Sequence, residues 1–364
     1  MTGLADALTS FYRGRRVLIT GHTGFKGSWL VLWLRKMGAR TVGVALPPVS
    51  PLSLFCSAQL ESPDDHVCNV RDLAALRAVF DETKPDIVFH LAAQAIVGLA
   101  YQDPIGTFQT NVMGSAHVLE CVRSQPSVAA AVMITSDKCY ENVEQLRGYC
   151  EDDRLGGVDP YSASKAGAEI VISSLTRSYF EEEGTANVAS VRAGNVVGGG
   201  DWSEFRLIPD CIRSLRAKTP ILLRSPQATR PWQFVLEPLA GYLSLGMRLV
   251  QDGKAFQGAW NFGPPVDNTK TVEVGAQAVI AAWGEGSIER LPAAPFHEHQ
   301  LLQLDSTKAR RRLGWRSVID FAGTMALTTE WYKHQHMAGD ASMREYSLHQ
   351  IAAFEEHLNR ELGH

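Results

Sequence analysis

Short aliphatic and β-branched runs alternate with longer stretches of helical periodicity through the first half of the chain. Apolar runs at 17–20, 41–46, 86–91, 130–135 and 187–192 each give way to small or polar residues and read as buried strands. Between them, apolar residues recur every three to four positions over about 26–38, 72–82, 104–124 and 160–182, which predicts helices. Strand and helix in alternation predict an α/β fold, a doubly wound parallel sheet with helices on both faces. Ligands of such sheets bind beyond the carboxyl ends of the strands, so the residues that follow each strand carry the functional information. From about residue 195 the alternation weakens, and Gly198-Gly199-Gly200-Asp201-Trp202 and Arg230-Pro231-Trp232-Gln233 suit a smaller, loop-rich mixed α/β unit.

The first strand runs into Gly21-His22-Thr23-Gly24-Phe25-Lys26-Gly27, and a helical pattern follows. Gly21 allows a tight turn, Gly24 lets backbone approach a pyrophosphate, and Gly27 lets the helix pack on the strand. Phosphates would then meet the free N–H groups of the helix N-terminus. A glycine triplet alone is common; strand, turn and helix in this order make it a Rossmann-type dinucleotide signature. Residues 14–194 plus about 232–262 are therefore expected to form the cofactor domain. Residues from about 195–231 plus 263–335 are expected to bind substrate, and 336–364 to form a helical tail. The second strand ends in Leu46-Pro47-Pro48, with neither the acid that marks NAD nor the arginine that marks NADP, so these residues leave that choice open.

Tyr161 and Lys165 stand one helical turn apart in Pro160-Tyr161-Ser162-Ala163-Ser164-Lys165. A free phenol, with a pKa near ~10, is a poor base at neutral pH, but an adjacent ammonium favours the phenolate. Such a tyrosine can take the proton of a sugar hydroxyl while hydride leaves its carbon. The spacing also arises by chance on exposed helices; its place after a dinucleotide turn sets it apart. Two polar loops complete the picture, His90-Leu91-Ala92-Ala93-Gln94 and Thr135-Ser136-Asp137-Lys138-Cys139-Tyr140.

Composition narrows the alternatives. The net charge of −4 gives no basic field, which argues against nucleic acid. No apolar run reaches the ~18 residues that span a bilayer and no basic-then-apolar leader opens the chain, so no membrane association and a cytoplasmic location are expected. Cys56, Cys68, Cys121, Cys139, Cys150 and Cys211 show no CxxC pairing and read as free thiols, Cys139 as a small buried one. His297/His299 and His334/His336 lack companion ligands at zinc-site spacing, so no metal is expected.

The glycine motif, Ser136, Tyr161 and Lys165 resemble the extended short-chain dehydrogenase/reductase superfamily, in its nucleotide-sugar branch. The runs from Thr20 to Trp29, Thr135 to Tyr140, Val191 to Trp202, Arg230 to Gln233, Val235 to Leu239 and Trp260 to Pro264 are similar to the CDP-glucose 4,6-dehydratase family, and the likeness extends from about residue 14 to Trp315. The resemblance implies tightly held NAD and a redox-neutral reaction on a CDP-sugar. Tyr161 would deprotonate the C4 hydroxyl, Ser136 would hydrogen-bond its oxygen, and Lys165 would bind the nicotinamide ribose and hold down the phenol's pKa. Asp137 and Lys138 would share the loss of water across C5–C6. The thymidine-linked relatives carry Asp-Glu here, so Lys138 must be neutral to act as a base.

The expected cofactor contacts are Gly21, His22, Thr23, Gly24, Phe25, Lys26, Gly27, Asn69, Val70, Leu91, Ala92, Ala93, Gln94 and Thr110, with Tyr161 and Lys165. The expected substrate contacts are Asn195, Trp202, Arg206, Leu207, Arg230 and Asn261, with Arg230 as a diphosphate clamp. The resemblance further implies a homodimer or homotetramer built on the 104–124 and 160–182 helices, and a role in deoxysugar supply for cell-surface polysaccharide such as O-antigen. Gly98 and Phe234 depart from the family pattern, which has a basic residue and a histidine there. An epimerase would need Tyr161 and Lys165 without Asp137 and Lys138, and a non-catalytic dinucleotide-binding protein would need none of the four.

Overall fold

The computed structural model describes residues 3–291 and 301–362. Seven parallel strands form one sheet, in spatial order Gly258–Asn261, Asn187–Arg192, Ala130–Ile134, Ile87–His90, Arg16–Thr20, Arg40–Ala45, Asp65–Val67. The order reverses between Arg16–Thr20 and Ile87–His90, where Thr20 lies opposite His90. A crevice must open at the carboxyl ends there, because the crossover helices leave in opposite directions. All five predicted strands are present. The other two, Asp65–Val67 and Gly258–Asn261, are only three and four residues long and carry too little apolar pattern to stand out.

Both faces of the sheet are covered. Leu18, Val42, Val44, Val88, Ala131, Met133 and Val188 point into one core, and Val17, Ile19, Ile87, Phe89, Ala130, Val132 and Val191 into the other. This period-two split of near-continuous apolar runs is what a doubly covered parallel sheet requires.

The helix Pro160–Tyr179 starts where Asp159 accepts the Ser162 N–H at 3.0 Å and Pro160 occupies the first turn, whose N–H would be unpaired in any case. The predicted 104–124 helix is continuous in direction but not in winding. Pro104–Phe108 and Gly114–Ser124 are α-helical, and Gln109–Met113 between them is a π-helical turn. Such turns are rare and often mark function; this one carries the buried Asn111.

The tail is part of the core. In the helix Met343–Leu362, Phe354 meets Trp33 edge-to-face at 5.8 Å and packs against Phe234 at 6.4 Å, while Trp33 Nε1–H donates to Glu355 at 2.8 Å. Phe234 is thus fully buried under the tail and is a packing residue rather than one that selects a sugar. His297/His299 lie outside the described residues. His334 stacks on Tyr346 at 4.1 Å and its Nε2 lies 2.9 Å from the Ser342 hydroxyl. No group of three or more potential metal ligands occurs among the described residues. Cys139 and the other five cysteines are free thiols.

Candidate active site

Gly21 adopts φ +73°, and a Cβ there would lie 2.7 Å from Ala92 N; a Cβ on Gly27 would lie 2.1 Å from Gly21 O. The turn is therefore a cradle that only glycine allows, and the helix Phe25–Lys36 opens above it with no side-chain cap. Uncapped N–H groups beside an exposed Gly24 fit a dinucleotide pyrophosphate. Of the predicted turn residues, Thr23 donates to Leu46 O at 2.9 Å. The His22 side chain packs beneath the turn, edge-on to Phe55 and 3.6 Å from Asp65, so only its backbone can serve a cofactor.

The loop after Ile87–His90 forms the second wall. Thr20 Oγ1 lies 2.7 Å from His90 Nδ1 and accepts the Ala92 N–H at 3.2 Å. Burial, and then the charge of Lys165, hold His90 down to about 3, so it is neutral. Leu91 donates its N–H to Thr20 O, and Ala93 follows on the same loop. Gln94 fastens the loop to Thr107, and Asn111 donates to both Gln94 O and Ser164 Oγ, at 2.9 and 2.8 Å. The π turn thus aims Asn111 inward to join this loop to the tyrosine helix. Sequence reasoning named Thr110 beside it and missed Asn111. Asn69 and Val70 follow the third strand, with Val70 buried against Gly114.

The third wall gathers the predicted catalytic residues. Ser136 Oγ–H donates to Asp137 Oδ1 at 2.9 Å, and Ser136 Oγ accepts the Lys138 N–H at 3.2 Å. Asp137 is almost wholly buried against Gly194, where a Cβ would fall 1.7 Å from its Oδ2. Burial raises the Asp137 pKa, opposed by Lys138, the Ser136 hydroxyl and Lys26. Tyr161 is pushed up to about 12 by burial, with the Ser136 hydrogen bond pulling the other way. Burial holds Lys165 itself down to about 8, with Cys139 and Glu169 nearby pulling the other way. Lys26 reaches into this cluster from the glycine turn, its Nζ 5.9 Å from the centre of the Tyr242 ring. Burial, Lys165 and Arg206 bring it down to about 7.

The predicted substrate residues divide. Arg206 pairs with Asp201 at 3.0 Å, and its charge reaches Tyr161 and Lys26. Asn195, at φ +46°, follows Gly194, and Leu207 opens the next helix. Arg230 lies on a two-stranded ribbon, pairing with Lys270. One expectation is corrected. Asn261 is fully buried, its amide donating to Tyr149 O and Asp305 O and accepting from Tyr140, so it braces the floor and cannot meet a sugar. Trp202 packs edge-on to Tyr332 and under Arg216, in a depression with Ser50 and Leu52. Sequence reasoning also missed Gly194, whose signal was only a small residue after a strand.

A dinucleotide cradle with a buried Ser-Tyr-Lys group close to its lysine is the arrangement of a dinucleotide-binding enzyme. The chain belongs to the NAD dependent epimerase/dehydratase family, whose sequence model matches residues 17–251. It is 45% identical over 330 residues to a CDP-glucose 4,6-dehydratase of Salmonella typhimurium, covering 89% of this chain and 92% of that protein. A dTDP-glucose 4,6-dehydratase of Streptomyces griseus is 27% identical over 88% of this chain and 94% of its own length. Among solved structures, an epimerase of Methanothermobacter thermautotrophicus superposes with a TM-score of 0.78 at 22% identity, covering 91% of this chain and 96% of that one. A UDP-glucose 4-epimerase of Thermus thermophilus in complex with NAD gives 0.75 at 24%, covering 87% and 99%. These two likenesses establish the fold.

Proposed function

We propose that this enzyme converts CDP-D-glucose to CDP-4-keto-6-deoxy-D-glucose and water, using NAD. The observation that carries this reading is the buried Asp137 hydrogen-bonded to Ser136, in the same cleft as Tyr161 and with Lys138 following it. An epimerase has no use for an acid at that point, whereas loss of the C6 hydroxyl requires one. The near full-length identity to the Salmonella enzyme supports the same sugar nucleotide.

NAD, when bound, supplies a hydride acceptor for C4 and returns the hydride to C6. Every other task falls to the chain. Gly21, Gly24 and Gly27 make room for the pyrophosphate, and Lys165 holds the ribose. Tyr161 receives the C4 hydroxyl proton. The C4 ketone acidifies C5–H, Lys138 removes that proton, and Asp137 protonates the departing C6 oxygen. Arg206, Asn195 and Arg230 are assigned to the diphosphate. In this reading the sheet with its helices is the cofactor domain and the segments about 195–231 and 263–335 bind the nucleotide-sugar. The exposed Leu99, Tyr101, Ile105, Met113, Ile170 and Tyr179 on the helices around 97–124 and 160–179 support a homodimer across that face. No helix among the described residues is long and apolar enough to cross a membrane.

Incubation with CDP-glucose and catalytic NAD tests the function. The expected product has lost one water and shows the alkaline absorbance of a 4-keto-6-deoxy sugar. Turnover of other CDP- or UDP-sugars without loss of water would replace this reading with an epimerase.

A further inference from the structure

Resting on the proposed reaction, we infer that Phe205 is a substrate-positioning residue: its ring, facing Gly98 across the mouth of the cleft, packs on a C–H face of the hexose. Phe205 stands out on two counts. Its side chain is large and apolar yet 59% exposed, and it joins no apolar core among the described residues. Its backbone is left-handed, at φ +62°, a conformation that a bulky residue adopts only under constraint. Residues held in this way gather at ligand clamps, where the surrounding fold supplies the constraint.

Both rims of the cleft are firm. The Asp201 carboxylate accepts the Ser203 N–H and an Arg206 N–H, each at 3.0 Å, and the Tyr332 hydroxyl donates to Asp201 O at 2.6 Å. Arg213, on the helix Leu207–Ala217, ties the same loop by donating to Trp202 O at 2.7 Å and to Ser203 O at 3.1 Å. Phe205 is therefore carried on a braced loop. On the opposite rim, Ala92 is bonded to Thr20 and Gln94 to Asn111, and Gln94 Oε1 accepts the Ile96 N–H at 2.6 Å, which fixes the start of the helix Val97–Gln102. Gly98 lies in its first turn. Beyond its own helix, the single atom among the described residues within 4 Å of a Cβ there is Phe205 Cδ2, at 4.0 Å. A side chain longer than that of alanine would run into the ring; glycine leaves the ring in place. The occupant follows from what these rims hold. Arg206, next to Phe205, sends its charge to Tyr161 and Lys26, and the helix Val97–Gln102 packs against the helix that carries Tyr161. Both anchors belong to the reacting end of the cleft, where the hexose sits when Tyr161 takes its C4 proton. A pyranose has hydroxyls around its edge and C–H groups on its faces, and the negative face of an aromatic ring attracts such C–H groups. Phe205 has no polar side-chain atom, so it holds the sugar without competing for the hydroxyls on which the reaction turns.

The test compares CDP-glucose with CDP, which lacks only the hexose, by titration calorimetry in the presence of NADH, which leaves the sugar unoxidised. Phe205→Ala is expected to weaken CDP-glucose about 10-fold and to leave CDP unchanged, with KM raised by a similar factor under turnover. Phe205→Tyr keeps the ring and should restore the affinity. Gly98→Ala should bind as wild type, since its Cβ stays at van der Waals distance, whereas Gly98→Leu should behave like Phe205→Ala. Melting temperature and NAD affinity of each variant verify folding, and should Gly98→Leu fail to fold, the Phe205 pair carries the test. Equal weakening of CDP and CDP-glucose in Phe205→Ala would overturn the inference and place the ring on the base or diphosphate. Unchanged binding of both would overturn it outright. Failure of the wild-type enzyme to release water from CDP-glucose would overturn the proposed reaction but not this inference, which is then read with the nucleotide-sugar that is turned over and its nucleoside diphosphate.

Discussion

Two sets of buried charges lie back to back on the helix Pro160–Tyr179, and they differ in how they are satisfied. Beneath it, Glu169 and Arg192 pair at 2.7 Å; Thr135 and Ser190 donate to the carboxylate, and Arg192 donates to Tyr140 Oη at 2.6 Å and to Glu151 O at 3.0 Å. Although burial opposes it, this pairing holds Glu169 below the usual carboxylate range and Arg192 above its own. Above it, Lys26, Lys165 and Asp137 share the cleft without one such ion pair, and burial pushes each toward its neutral form. Burial therefore yields opposite protonation behaviour according to whether the charges are paired. The paired set fixes geometry, and the unpaired set is free to move protons.

The largest expected effect breaks the cleft set alone. Tyr161→Phe removes one hydroxyl from the cleft and keeps the ring, so activity should fall by ~10²–10⁴-fold while the melting temperature stays near wild type. Arg192→Met should do the reverse. It strands Glu169 as an uncompensated buried charge, which costs about 3–5 kcal/mol. Chemical denaturation measures this, and a variant as stable as wild type would show that the pair is not the brace described.

What was legible in the sequence follows the same division. The glycine turn, Ser136 and Tyr161-Lys165 are local patterns whose chemistry is written in adjacent residues, and the five longer strands carry enough apolar residues to declare themselves. The brace was not legible. Glu169, Arg192, Tyr140 and Asn261 are brought together from three strand ends and a helix, and Asn261 read as a substrate contact because nothing nearby in sequence shows that its amide is spent. Phe234 misled for the same reason: its partner Phe354 is supplied by a helix 120 residues on. Lys26 is the opposite case, a residue in a local motif whose side chain leaves that motif for the cleft.

Glu237 sharpens the comparison from outside both sets. Its Oε1 accepts from Ser317 Oγ, Val318 N and Ile319 N, while its buried Oε2 has no partner. Half-satisfied, it is pushed by burial from an ordinary value near 4.5 up to about 7. The sign follows from linkage. The folded state holds this proton more tightly than the unfolded one, so the group's contribution is most favourable below about pH 4.5 and is lost as pH rises toward 7, about 3 kcal/mol in all. Glu237→Gln keeps the Oε1 contacts and cannot ionise. It should therefore gain on wild type by about that amount between pH 4 and pH 8, measured as the difference in unfolding free energy. A constant difference across that range would mean that Glu237 is ionised throughout.

The smallest expected effect falls within the cleft and probes why a lysine stands in a phosphate turn at all. Below about pH 7 the Lys26 ammonium is charged and favours the Asp137 carboxylate; above it the amine is neutral and has no such influence. If Asp137 must begin the cycle as a carboxylate, Lys26→Met moves the acid limb of kcat/KM to higher pH, because loss of a nearby cation raises a carboxyl pKa. The two profiles should converge on the alkaline side, where wild-type Lys26 has already lost its charge. Coincident acid limbs would show that Lys26 does not act on Asp137. A uniform loss at every pH would instead place Lys26 among the residues that hold the cofactor, which is where its position in the glycine turn had put it.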